Sequence, residues 1–115
     1  MTPGERMRRV DEAMREVLSD AITQEIKDPR VGFVTVTAVQ TSPDLRHARV
    51  YVSVLGDAKQ RKLSLAGLTS AHGFLQKRVA RELRIKHTPT LDFIYDDTAE
   101  RADRMSRLLE GEPPA

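Results

Sequence analysis

Residues 61–86 read RKLSLAGLTSAHGFLQKRVARELRIK, and the reading of this stretch decides the fold. Leu63, Leu68, Ala71, Leu75, Val79 and Leu83 recur at helical spacing, the pattern of an amphipathic helix. Gly67 and Gly73 interrupt it, each disfavoured by about 1 kcal/mol relative to Ala in a helix interior. The pair predicts a break, and hence two abutting helices, the second ended by Thr88-Pro89.

Working outward, His47 to Val54 alternates strictly: Ala48, Val50, Val52 and Val54 share one face, Arg49, Tyr51 and Ser53 the other. Phe33 to Val39 is rich in β-branched residues and forms a second strand. The turn-forming Thr41 to Leu45 joins the two as an antiparallel hairpin. From Glu5 to Lys27, Met7, Val10, Met14, Val17, Leu18, Ala21, Ile22 and Ile26 mark a long first helix, stopped by Asp28-Pro29. Downstream, Leu91 to Tyr95 is a third short strand. A last helix, Ala99 to Leu109, carries an apolar edge of Ala102, Met105, Leu108 and Leu109. The order predicts an α+β domain: helix, strand, strand, kinked helix pair, strand, with a three-stranded sheet covered by helices on one face. Residues 1–110 form one domain, and 111–115 a disordered tail.

Composition narrows the chemistry. The absence of cysteine excludes disulfides, thiolate metal sites and thiol nucleophiles. With no Trp, three Phe and two Tyr, aromatic stacking platforms of the kind many single-strand RNA binders use are nearly unavailable. No apolar run approaches the roughly 20 residues of a membrane span, and the N-terminus lacks a signal-peptide core, so a cytoplasmic protein is expected.

No catalytic constellation emerges. His47, His72 and His87 lack metal-ligand spacing. Asp92, Asp96 and Asp97 are the nearest approach to clustered acids, but a strand end and a helix start attract acids through capping alone. No serine has a nucleophile-elbow context, and no glycine-rich phosphate cradle is present. Neither enzymatic activity nor a cofactor or metal is expected.

Charge is the stronger signal. The formal total is only +2. Residues 1–44 carry six basic and eight acidic side chains, net −2; residues 45–90 carry ten against two, net +8; residues 91–115 carry three against seven, net −4. Within the basic block Lys77, Arg81 and Arg84 fall at i, i+4 and i+7, flanked by Arg78 and followed by Lys86, while Lys59, Arg61 and Lys62 form a preceding loop. Nearly uniform sign repels itself unless a polyanion neutralises it, so nucleic-acid phosphates are the expected partner.

Helix–strand–strand–helix–helix–strand with basic residues around a glycine-marked break suggests a KH-type RNA-binding module. The Gly-x-x-Gly loop of such modules is missing, since Gly67 and Gly73 are too far apart. The runs Glu25-Ile26-Lys27-Asp28-Pro29-Arg30, Val34 to Val39, Ser42-Pro43-Asp44-Leu45, Ala48 to Ser53, Ala71-His72-Gly73-Phe74-Leu75, Arg84 to Pro89 and Leu91 to Asp97 closely resemble the ribosome-binding factor A family of bacterial small-subunit assembly factors. The resemblance spans roughly residues 5–110.

It implies a KH-like (type II) domain whose loop is replaced by a kink at an Ala-x-Gly motif, here Ala71-His72-Gly73. It further implies a monomer that binds 16S rRNA within the free 30S subunit, with ribosomal proteins as neighbours. That family acts in late 30S maturation and rRNA processing near the 5′-terminal helix, chiefly in the cold, without catalysis or cofactor. The expected rRNA-binding residues are Lys59, Arg61, Lys62, Ala71, His72, Gly73, Lys77, Arg78, Arg81, Arg84 and Lys86. Gly73 has two readings: close backbone approach to RNA, or tight helix–sheet packing. The alternative function is a non-ribosomal RNA-binding or protein-interaction adaptor of the same fold, using the edge of the last helix.

Overall fold

The computed structural model describes residues 2–111. The elements run α1 (Pro3–Glu25), β1 (Val34–Thr41), β2 (His47–Val54), α2 (Ala58–Ser70), α3 (His72–Leu83), β3 (Thr90–Tyr95) and α4 (Thr98–Leu109). This is the predicted KH-like α+β order. The sheet order is β1-β2-β3, with β1 antiparallel and β3 parallel to the central β2. The expected tail, apart from Gly111, lies outside the described residues.

The strict alternation of β2 puts Ala48, Val50, Val52 and Val54 into the core. Onto that face α1 contributes Met14, Leu18, Ala21 and Ile22, α2 contributes Leu68, and α3 contributes Leu75 and Val79. The opposite face of the sheet, carrying Gln40, Arg49 and Asp92, is left open.

Element ends shift from expectation for local reasons. α1 starts two residues early because Thr2 caps it, accepting the Glu5 N–H on Oγ1 at 3.2 Å, with Pro3 in the first turn. β1 continues to Thr41 because Asp11 of α1 reaches across: its Oδ1 accepts the Thr41 N–H at 2.9 Å and the Thr41 hydroxyl at 2.6 Å. A register irregularity between Val36 and Ala38 leaves both Thr37 and Ala38 exposed. α4 buries no residue, so the cover of the sheet comes from α1, α2 and α3 alone.

The two glycines of residues 61–86 have different roles. Gly67 is buried, and a Cβ built there would lie 2.5 Å from Val31 Cγ2 and 3.5 Å from Arg30 Cβ. Beside it Ser64, fully buried, accepts the Gly32 N–H at 3.2 Å. α2 is thus held close to the segment entering β1. A Cβ at Gly73 would meet nothing within 4 Å. The packing reading of Gly73 is therefore overturned; the close contact belongs to Gly67.

Gly67→Ala should destabilise the fold by about 1–3 kcal/mol through overpacking, whereas Gly73→Ala should be neutral or stabilise it by up to about 1 kcal/mol. Urea unfolding of both variants checks the pair; equal effects would contradict this division of roles.

Candidate nucleic-acid interface

The kink is one residue long. Ala71 (φ −87°, ψ 7°) ends α2 and starts α3. Its N–H is shared between the Gly67 and Leu68 carbonyls at 3.1 Å each, and its own carbonyl accepts the Leu75 N–H at 3.0 Å. No side chain caps the α3 N-terminus. Two bonds fasten the start of α3 to the sheet edge: the Leu91 N–H donates to His72 Nε2 at 3.0 Å, and Gln76 Nε2 donates to the Pro89 carbonyl at 2.6 Å. His72, expected to meet rRNA, thus has its Nε2 lone pair engaged in satisfying an outward-facing N–H of edge strand β3. Gly73 is exposed beside it.

The expected cations divide into free and engaged groups. Lys77 and Arg81 are exposed and share one face of α3. Arg78 is different: its side chain is only 14% exposed and pairs with Glu25 of α1 and with Glu82. Its charge is compensated within the fold. The stripe also ends sooner than the spacing suggested, because α3 stops at Leu83 with Arg84 in the left-handed conformation (φ 52°, ψ 38°). Arg84 and Lys86 are exposed on the connection to β3 rather than on the helix.

Lys59, Arg61 and Lys62 lie on the first turns of α2, not in a loop. Lys59 and Lys62 are exposed, while the Arg61 guanidinium lies 3.9 Å from the centroid of the Tyr95 ring. Tyr95 is the last residue of β3, whereas Lys86 precedes its first. The two basic groups therefore sit at opposite ends of a strand of six residues, on the order of 20 Å long.

The acids near the end of β3 do not converge. Asp92 is exposed on the open sheet face. Asp97 pairs with Arg101 at 3.0 Å. Asp96 accepts the Thr98 hydroxyl at 2.5 Å, the Thr37 hydroxyl at 2.7 Å and the Thr98 N–H at 2.9 Å. These donors hold its carboxyl down at about 2, too acidic to carry a proton near neutrality. Among the described residues no group of three His, Cys, Asp or Glu is placed to hold a metal ion, and no helix is long and apolar enough to cross a membrane.

Two residues that sequence reasoning passed over lie at the kink. Phe74, three residues before Lys77, is 44% exposed. Exposed Lys27 sits across a shallow groove from it, a groove also lined by Ile26, Ser70 and Ala71. A signal existed for Phe74, because it falls off the Leu75–Val79–Leu83 stripe that marks the buried face.

The model of the ribosome-binding factor A family matches residues 6–109. A ribosome-binding factor A from Anaeromyxobacter sp. (strain K) is 49% identical, covering 100% of this chain and 88% of that protein. The one from Halothermothrix orenii is 44% identical over 92% of this chain and 87% of its own. The solution structure of a putative ribosome-binding factor A from Thermotoga maritima matches with TM-score 0.72 and 34% identity, covering 82% of this chain and 90% of that one. The Thermus thermophilus homology model fitted into the cryo-EM map of a 30S complex matches with TM-score 0.63 and 28% identity, over 76% and 92% of the two chains.

The split between engaged and free cations is measurable. Arg78→Ala should destabilise the fold by about 1–2 kcal/mol, from lost stem packing and two lost ion pairs. Arg81→Ala should stay within about 0.5 kcal/mol of wild type. Urea titrations decide this; an equal cost at both sites would remove the distinction.

Proposed function

The chain belongs to the ribosome-binding factor A family, and from that premise we propose that it binds the free 30S subunit and assists late 30S maturation and 16S rRNA processing near the 5′-terminal helix. It acts as a cytoplasmic monomer, without catalysis or cofactor. The observation that carries this reading is the pair Lys77 and Arg81, exposed and without an ion-pair partner among the described residues, on the helix whose first turn carries the bare Gly73 backbone. The fitted 30S complex of the Thermus thermophilus homologue supports the choice of partner.

Mechanistically, phosphates dock along α3 and its exit at Arg84 and Lys86, where the fold supplies positive charge without internal partners. Such contacts give affinity and orientation but do not read sequence. Lys59 and Lys62, at the far end of β3, reach a second stretch of backbone, so the factor spans rRNA rather than gripping one point. Holding two stretches at once stabilises a single rRNA conformation until maturation displaces the factor. Exposed Met105, Leu108 and Leu109 on α4 favour a second reading, in which ribosomal proteins also meet the factor there.

Cosedimentation with separated ribosomal subunits across a salt series tests the proposal. The expected outcome is binding to small subunits alone, weakening steeply as salt rises. Each phosphate contact contributes about 0.7–0.9 to the log–log slope. The double variant Lys77→Glu/Arg81→Glu should bind at least about tenfold more weakly and lose about 1.5–2 from that slope. Preference for large subunits would overturn the assignment, and unchanged binding by the double variant would move the interface off α3.

A further inference from the structure

We propose that Phe74, beside the bare Gly73, is a stacking subsite for one unpaired RNA base, with Lys77 holding the adjoining phosphate; this rests on the reading that the kink faces RNA. Phe74 is a large apolar side chain that is 44% exposed and lies outside the buried cluster around Leu75 and Val79. Its neighbour Gly73 has no structural need to be glycine. A Cβ there meets only open space, and Gly73 is not among the residues with positive φ. Glycine weakens a helix, so what it supplies here is clearance: nothing projects from the backbone next to the ring, and a planar group can approach edge-on.

The surroundings select a nucleotide over an apolar peptide. Of the acids bordering the groove, Asp28 is paired with Arg30, and Glu25 shares Arg78 with Glu82. Among the described residues, the unpaired side chains beside the ring are both cations: Lys27 across the groove and Lys77 one turn along α3. The uncapped N-terminus of α3 adds further attraction for an anion. An aromatic face flanked by cations and bare backbone suits a base whose phosphate lies alongside, and only an unpaired base offers its face. The sparse aromatic composition rules out a platform of several rings; one exposed ring still holds one base.

The test uses the full chain and a single-stranded RNA oligonucleotide carrying 2-aminopurine, whose fluorescence is quenched on stacking, at low salt. Wild type should quench. Phe74→Leu should abolish quenching and weaken oligonucleotide binding roughly five- to a hundred-fold, while Phe74→Trp retains both. Melting temperatures should stay unchanged, since the ring is outside the core. Phe74→Leu should also weaken small-subunit binding by at least about fivefold, at the lower end of the same range. No quenching by wild type, or quenching by Phe74→Leu equal to wild type, overturns the subsite. Loss of subunit binding by Phe74→Leu with quenching intact would assign the ring to a protein neighbour and likewise overturn it. If wild type fails to bind small subunits while Phe74 still governs quenching, the subsite stands and the ribosomal reading falls.

Discussion

The turn at Ala71 is the constraint on which the helical face depends. One residue separates α2 from α3, and its position is set from two sides. Gly67 lets α2 approach the Val31 side chain so closely that no larger residue fits without movement. On the other side His72 and Gln76 bond to the backbone at Leu91 and Pro89, tying the start of α3 to the exposed edge of β3. With both ends fixed, α3 can only present Leu75 and Val79 inward. Phe74, Lys77 and Arg81 then turn outward as a consequence of packing. The proposed interface is a by-product of how the core closes.

Formal charge and available charge diverge in this chain. The +8 of residues 45–90 includes Arg78, neutralised by Glu25 and Glu82, and Arg61, stacked on Tyr95. What is left for a polyanion is Lys77 and Arg81 on α3, Arg84 and Lys86 at its exit, Lys59 and Lys62 on α2, Arg46 just before β2 and Arg49 on the open sheet face. Those on α2 and those on α3 with its exit form two groups separated by the length of β3. In the proposed role, two spaced basic groups on one fold would bridge separate rRNA segments.

Much of the architecture was legible in the sequence because it is periodic. The alternation of Ala48 to Val54 and the helical spacing of Met14, Leu18 and Ile22 survive into the structure with their faces intact. The break between α2 and α3 was legible through its two glycines, yet their roles were not. Whether a glycine touches a neighbour depends on Val31, some 36 positions from Gly67 in the chain, and no local pattern reports that. Arg78 looked like its neighbours Lys77 and Arg81 for the same reason: its partner Glu25 lies on another helix. β1 ran past its expected end because Asp11, on α1, satisfies Thr41. Local signals fixed the elements, and long-range partners decided which side chains were free. Phe74 was passed over because counting aromatics says nothing about where a single one points.

The central claim is that the kink side of α3 faces the small subunit, and lysine acylation followed by mass spectrometry tests it most directly. The chain has five lysines, Lys27, Lys59, Lys62, Lys77 and Lys86, all exposed in the free protein. Bound to purified small subunits, Lys77 should become the most strongly protected of them, with Lys27 protected beside it. Lys77 labelling at the same rate free and bound, while other lysines are shielded, would contradict the claim.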